Sequence, residues 1–410
     1  MSGIHDYDLL IVGGGMVGAS LALALSGSGL RLALVDEHAP GDPAQPSYDD
    51  RAIALAYGSR RIFEGMGLWP AIAPEAEPIC DIHVSDRGHF GFTRLSAREE
   101  DVPALGYVVT ARQLGSVLLD GLRDCADVDW IAPAQVVAIG ADELSAHVTI
   151  EQAGERRVLS AALLVGADGG RSFVREQLGL PTRQWRYGQA AIVTNVTPQR
   201  PHRNVAYERF TDSGPVALLP MSEGRCAVVW TVREEQLQEV MALDDAAFVR
   251  AFQARFGHRL GRFERVGRRA SYPLQLLRVR ESVRPRTVII GNAAHTLHPI
   301  AGQGFNLGIR DVAALVDVVL EAQRDGADIG GDDTLQRYAA WREGEQRNVA
   351  LATDGLARLF SNPLGMLRLG RNLGLLAVDL LPGARHRLAR RAMGLLGRLP
   401  RLGRGLPPGA

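Results

Sequence analysis

Lysine is absent from this chain of 410 residues: all 46 basic residues are arginine, matched by 46 acids. The lysine-free composition reads as a GC-rich coding bias. The formal net charge is zero, which removes the electrostatic case for nucleic acid as a partner of the whole chain. Cysteine is scarce. Cys80, Cys125 and Cys226 lie far apart and form neither a metal-spaced pair nor an even disulfide set. That pattern excludes a cysteine zinc site and fits a reducing, cytoplasmic compartment. No uninterrupted apolar run reaches the ~18 residues of a membrane-spanning helix. Residues 1–7 lack a basic start followed by an apolar stretch, so no signal peptide is expected. Neither a Walker A loop nor a Gly-x-Ser-x-Gly elbow occurs, and no internal repeat is found.

What is present is an ordinary globular composition, 46% hydrophobic and 22% charged. The length predicts two domains, or one large α/β domain with insertions. Asp8-Leu9-Leu10-Ile11-Val12 reads as a strand that runs into Gly13-Gly14-Gly15-Met16-Val17-Gly18 and then an Ala/Leu-rich helix. Arg31-Leu32-Ala33-Leu34-Val35 is a second strand, ending at Asp36. Gly13, Gly15 and Gly18 thus form a G-x-G-x-x-G turn inside a complete βαβ unit. The first glycine turns the chain, the second admits a pyrophosphate, and the third lets helix and strand pack closely. Asp36 is placed to bind ribose hydroxyls. This unit alone does not separate FAD from NAD.

The most informative segment is Gly291-Asn292-Ala293-Ala294-His295-Thr296-Leu297-His298-Pro299-Ile300-Ala301-Gly302-Gln303-Gly304-Phe305-Asn306. It follows the strand-like Thr287-Val288-Ile289-Ile290 and precedes a helix-like run over 307–319. Gly302 and Gly304 frame Gln303, so backbone can approach a flat ligand closely. The following helix aims unpaired N–H groups at that ligand and favours negative charge there. A reduced flavin develops such charge on its pyrimidine edge, so the segment reads as a flavin cradle. His295 and His298 have no cysteine or carboxylate cluster beside them, and no metal is expected. His298 with Pro299 reads as shaping the cavity, with no acid–base role assigned. No second complete nucleotide fingerprint occurs, so NADH or NADPH is expected to bind transiently.

Elsewhere, residues 51–66 are expected to be helical, strands are expected at 81–85 and 106–109, and 112–122 reads as an amphipathic helix. A hairpin is expected around Gly154, and Leu163-Leu164-Val165-Gly166 reads as a buried strand running into Asp168-Gly169. Residues 189–232 read as an antiparallel sheet with a turn at Ser222-Glu223-Gly224-Arg225. Between Arg358 and Arg404 the chain carries ten arginines and one acid, Asp379. That tail suits docking on an anionic membrane surface. It equally suits a helical pair packed on the body with solvated arginines.

Three elements stand together: residues 13–18, Asp168-Gly169 and residues 291–306. The triple resembles the FAD-dependent aromatic hydroxylases of the para-hydroxybenzoate hydroxylase fold. Within that group the chain is most similar to the ubiquinone-biosynthesis hydroxylases. The residues that carry this are Asp50-Arg51-Ala52-Ile53-Ala54-Leu55, Val84-Ser85-Asp86-Arg87-Gly88-His89, Glu208-Arg209-Phe210, Gly214-Pro215, the run from Leu219 to Arg225, and the run from Gly291 to Asp311. The resemblance implies an α/β fold: a Rossmann-like FAD-binding domain over 1–78, 111–182 and 286–350, with an inserted antiparallel-sheet substrate domain over 79–110 and 183–285. A helical, arginine-rich region follows over 351–410.

It also implies roles. Gly13, Gly15, Gly18 and Asp36 would bind the ADP half of FAD, and Arg51 and Arg112 the pyrophosphate and flavin region. Asp168 would serve both FAD and NAD(P)H. Gly291, Asn292, Pro299, Gly302, Gln303, Gly304, Phe305 and Asn306 would hold the flavin, and Tyr207, Phe210 and Pro220 would wall the substrate. The wider superfamily has Asp where this chain has Asn292, which keeps a carbonyl acceptor and loses charge, at about 1 kcal/mol. The implied reaction uses NADH or NADPH and O₂ to hydroxylate a polyprenylated phenol, 2-polyprenyl-6-methoxyphenol, to the 1,4-benzoquinol. Implied partners are the inner face of the cytoplasmic membrane and other ubiquinone-biosynthesis proteins. The rival readings are a hydroxylase of a soluble aromatic compound and a catalytically silent flavoprotein subunit.

Overall fold

A computed structural model describes residues 5–42, 51–361 and 365–409. Its foundation is a mainly parallel sheet in the order Val283–Arg284, Thr287–Ile289, Glu155–Gly166, Tyr7–Val12, Leu32–Val35, Val128–Ile131. Leu10 lies between Leu164 and Ala33 in register, and Val12 between Gly166 and Val35. Leu9, Leu10 and Ile11 are fully buried, because helices cover one face and an antiparallel flap covers the other. Parallel strands buried on both faces need such continuous apolar runs. Each fully buried side chain of this kind contributes roughly 1.5–3 kcal/mol. The Met16–Leu25 and Gln303–Arg324 helices pack on one face with Leu21, Leu25, Ile309 and Val316. The Gln135–Ala141 and Ala146–Gln152 strands form the flap, paired antiparallel onto Glu155–Gly166.

The second sheet has nine strands. Its path runs His295–Thr296, Ala270–Val279, Thr182–Pro198, Cys226–Arg233, Gly214–Pro220, Val205–Thr211, Asp81–Asp86, Phe92–Ser96. It is mixed rather than purely antiparallel, because Val205–Thr211 pairs with Asp81–Asp86 in parallel. That pairing joins two segments far apart in sequence, which no local hairpin signal reveals. One face is closed by the Asp245–Phe256 helix through Phe248, Phe252 and Phe256. A three-stranded sheet of Ala52–Ala56, Gly106–Thr110 and Glu77–Ile79 lies between the two.

Residues 51–66 are not one helix. Ala52–Ala56 is a strand, and the helix is confined to Tyr57–Gly65. Alanine favours helix locally, but pairing with Gly106–Thr110 overrides that preference. The amphipathic helix runs Ala111–Arg123, started by Thr110, whose side chain accepts from the Gln113 N–H at 3.2 Å.

Three helices, Asp332–Ser361, Gly365–Leu380 and Pro382–Ala392, end the fold. The last two pack on the body, so the tail is not a free basic arm. Their arginines are only partly solvated: Arg371 is buried against Asp86, and Arg385 pairs with Glu99. Among the described residues no helix is long and apolar enough to cross a membrane.

Candidate functional site

Both glycine motifs fall on the wall of one cleft of about 910 Å³, near the upper end of ordinary ligand sites. Gly13, Gly15, Asp36, Arg51, Asp168, Gly291, Asn292, Gly304 and Phe305 line it. Gly13 has φ +105°, and a Cβ there would come within 2.6 Å of the Ala167 carbonyl oxygen. Gly18 lies beneath the turn rather than on the cleft. A Cβ on it would fall 1.9 Å from the Gly13 carbonyl oxygen, so any side chain would push helix and strand apart.

The two helices that start at the cleft carry no side-chain cap. Gly15 precedes the Met16–Leu25 helix and Gly302, at φ +60°, precedes the Gln303–Arg324 helix. Neither has an acid in its first turn. The positive end of each helix favours an anionic ligand, as a pyrophosphate or a flavin pyrimidine edge would be.

Asp36 braces the turn. Its carboxylate accepts from the Gly14 N–H and, at 2.7 Å, from the His38 N–H. Asp168 accepts from Val174 N–H at 3.0 Å through Oδ2, while its buried Oδ1 has no partner. Burial pushes its carboxyl above the ordinary aspartate range, against the hydrogen bonds from Ser172 and Val174. An orphaned buried acceptor on a cleft wall asks for a ligand donor. The Asn292 side chain is exposed on the cleft. The Arg51 guanidinium lies over the Tyr272 ring, 5.0 Å from its centre. Uncapped helix starts, the glycine pinch and the Asp168 acceptor together fit FAD.

The structure does not bring every expected residue to the cleft. Asn306 is buried, and its amide is engaged by its own protein. It accepts from Ala56 N–H and Ser59 Oγ and donates to the Ala54 and Gly302 carbonyls, each at 2.7 Å. It ties the Ala52–Ala56 strand to the flavin loop rather than lining the ring. Pro299, Gly302 and Gln303 are not among the residues that line the cleft, and Arg112 is exposed on the first turn of its helix. His298 is fully buried, edge-on to Tyr187 at 5.1 Å, with neither ring nitrogen hydrogen-bonded. Burial pushes its pKa down to about 4.

The three expected wall residues divide. Phe210 faces the flavin loop, stacked on Phe360 at 3.6 Å and packed with Ile300. Tyr207 points to the opposite face, edge-on to Phe256 of the covering helix at 5.6 Å. Pro220 shares strand parity with Val216 and Leu218, which also belong to that covered core. Strand parity puts Ala206 and Leu219 on the flavin side instead, where they pack with Ala52 and Val108.

Asp311 was not singled out from sequence. It is fully buried and accepts from Gly291 N–H (3.2 Å), His295 Nε2 (2.6 Å), Arg342 Nε (2.8 Å) and Gln346 Nε2 (3.0 Å). Burial alone would raise its carboxyl, but the charges of His295 and Arg342 override this and hold it well below the ordinary range. Arg175 similarly ties the two halves of the cleft, donating to Ala293 and Gly170 carbonyls at 3.0 and 2.9 Å. A carboxylate five residues after the loop gives little signal without knowledge of which helix packs on it.

A family model for the FAD binding domain matches residues 6–350. The chain is 39% identical over 403 residues to ubiquinone hydroxylase UbiL of Rhodospirillum rubrum, covering 98% of this chain and 93% of that protein. It is 31% identical over 393 residues to 3-demethoxyubiquinol 3-hydroxylase of Escherichia coli, covering 95% and 98%. The chain belongs to the ubiquinone-biosynthesis hydroxylases. In fold it is similar to p-nitrophenol 4-monooxygenase from Pseudomonas putida, with a TM-score of 0.78 at 20% identity over 95% of this chain and 98% of that one. This hydroxylase is therefore an FAD-dependent aromatic-ring monooxygenase, with NAD(P)H and O₂ as the co-substrates of its class. The residues that line the cleft described above fit such a cofactor.

Proposed function

We propose that this hydroxylase acts on a phenol bearing a polyprenyl chain, converting 2-polyprenyl-6-methoxyphenol to the 1,4-benzoquinol. The observation that carries the reading is the likeness, over nearly the whole chain, to relatives named for ubiquinone hydroxylation. The cluster of Phe210, Ile300, Ala357 and Phe360 beside the flavin loop adds an apolar, water-excluding surround. Bound FAD, reduced by NADH or NADPH, would supply the oxygen activation needed for ring hydroxylation.

The protein's own part is positioning and shielding. The uncapped start of the Gln303–Arg324 helix would favour negative charge on the flavin edge. Asn292 and Asp168 would accept hydrogen bonds from the cofactor, and Arg51 would offer it a charge-assisted donor. The apolar packing beside the loop would exclude water from the reacting centre. Profiling of quinone intermediates in a strain lacking this chain tests the reading. Accumulation of the 6-methoxyphenol precursor is expected, reversed by the wild-type chain. Accumulation of a different ring intermediate would move the assignment to another hydroxylation step, and an unchanged profile would end it.

A further inference from the structure

The Gly365–Leu380 helix is inside out. Its described polar side chains all turn toward the protein. Arg371 pairs with Asp86 at 2.9 Å, and Asn372 donates to the same carboxylate at 2.9 Å. Asn372 accepts from Gly91 N–H at 2.8 Å, and Asp379 accepts from Arg94 N–H at 2.9 Å. Thr93 donates its hydroxyl to the Leu375 carbonyl at 2.5 Å. The reason is local: Phe92–Ser96 is the edge of the nine-stranded sheet, and its outward N–H groups need acceptors. A polar inner face therefore follows from what the helix covers.

The outer face does not follow from it. Every described exposed position from Met366 to Leu381 is Met, Leu, Ala or Gly. Met366 is 90% exposed and Leu380 74%, with Leu369, Leu373 and Leu381 each more than half exposed. Spacing of three to four residues puts Met366, Leu369, Leu373 and Leu380 in one row. Contiguous apolar surface of this kind marks an interaction site.

The charge around this row selects the occupant. Residues 365–404 hold nine arginines and one acid in a chain whose net charge is zero, and the region stays basic although Arg371 and Arg385 pair with Asp86 and Glu99. Exposed Arg387 and Arg390 on the next helix meet no carboxylate among the described residues. Two copies of so basic a region repel each other. Protein interfaces rely on aromatic anchors and hydrogen bonds at their centre, and this row offers only aliphatic groups. A bilayer needs no more than apolar area beside cations. We propose that the outer face of the Gly365–Leu380 helix seats the enzyme on an anionic phospholipid bilayer, with Met366, Leu369, Leu373 and Leu380 dipping below the headgroups. The proposal rests on the polyprenylated-phenol reading for its purpose, since such a substrate lives in that bilayer.

Flotation of the full-length FAD-loaded enzyme with vesicles tests it. One arm uses phosphatidylcholine with phosphatidylglycerol and the other phosphatidylcholine alone. Wild type should float with the anionic vesicles. The triple variant Met366→Ser, Leu369→Ser, Leu373→Ser should partition at least tenfold more weakly, with unchanged flavin content. Arg387→Gln with Arg390→Gln should weaken binding severalfold, and on anionic vesicles alone. Equal flotation of wild type and triple variant overturns the proposal. So does a wild-type oligomer that the triple variant dissolves without any flotation, since a second copy then occupies the face. Hydroxylation of a short-chain prenylphenol in free solution separates the two readings. If it persists while flotation fails, docking alone is wrong. If flotation succeeds and no prenylphenol is turned over, the substrate reading alone is wrong.

Discussion

The two glycine turns of the cleft look alike in sequence and work in opposite ways. Each joins a buried strand to an uncapped helix start. In the first turn the missing side chains are the point. Gly13 and Gly18 leave room for backbone to meet backbone. In the second turn the side chains carry the shape. Asn306 and His295 turn inward, with Asp311 supporting the turn from the following helix, and the residues left on the cleft are Gly291, Asn292, Gly304 and Phe305. A strand–turn–helix can thus be shaped by exclusion of atoms or by a buried polar brace. The two should fail differently.

The sharpest break comes in the first turn. Gly18→Val places atoms where the Gly13 carbonyl oxygen already is, so local collapse cannot accommodate it. We expect a loss of more than about 4 kcal/mol of stability, read as protein that is insoluble or free of flavin. A yellow, soluble Gly18→Val protein would show that the pinch is not required. In the second turn Asp311→Asn leaves Arg342 and His295 facing a neutral group in a fully buried site. Breaking one side of such a network costs about 3 kcal/mol. Thermal unfolding of the flavin-free protein should show that drop. Fold and secondary structure by circular dichroism should remain, because the glycine geometry is untouched.

Sequence reading found the first turn almost completely because its physics is local. Spacing, strand and helix lie within thirty residues, and only the inward packing of Gly18 needed the third dimension. The second turn was legible as a cradle but not as a brace. Asn306 and Asp311 acquire their partners from Ala54, Ser59, Arg342 and Gln346, all remote in sequence. The same limit explains Tyr207 and Pro220. Alternation showed that strands have two faces, but not which face the Asp245–Phe256 helix would cover. In the tail, the arginine count drew the eye to charge. The apolar outer row emerged only once the inner face was fixed by the edge strand.

His298 gives a smaller, pH-dependent test of the second turn. Its folded pKa, about 4, lies below the ordinary value of 6.5 because burial disfavours the charged ring. A depressed pKa means that its contribution to stability is present above 6.5 and is lost as pH falls toward 4. The loss by pH 5 is about 2 kcal/mol. His298→Phe keeps an aromatic edge for Tyr187 and removes the titration. Chemical denaturation at pH 8 should barely separate the two proteins, and at pH 5 the variant should be the more stable. If the wild-type and variant profiles run parallel from pH 8 to pH 5, the ring is not buried as described.

Asp168 supplies the smallest effect and the one most specific to the ligand. Its folded carboxyl pKa is raised by burial, so its contribution is fully present below the ordinary carboxylate pKa and is lost as pH rises from there through the raised folded value. At neutral pH the buried charge therefore works against the empty protein. Asp168→Asn keeps an acceptor for the Val174 N–H and removes that charge. The flavin-free variant should melt slightly higher than wild type at pH 7, with the gap closing below pH 4. The loaded protein should move the other way. An amide oxygen is a weaker acceptor than a carboxylate, so the Kd for FAD should rise about fivefold, equivalent to about 1 kcal/mol. Titration of the flavin-free protein with FAD, followed by fluorescence quenching, reads the second effect independently of the first. Opposite signs in the two measurements would assign the orphaned Oδ1 to the cofactor, whereas equal FAD affinity would leave Asp168 as no more than the start of a turn.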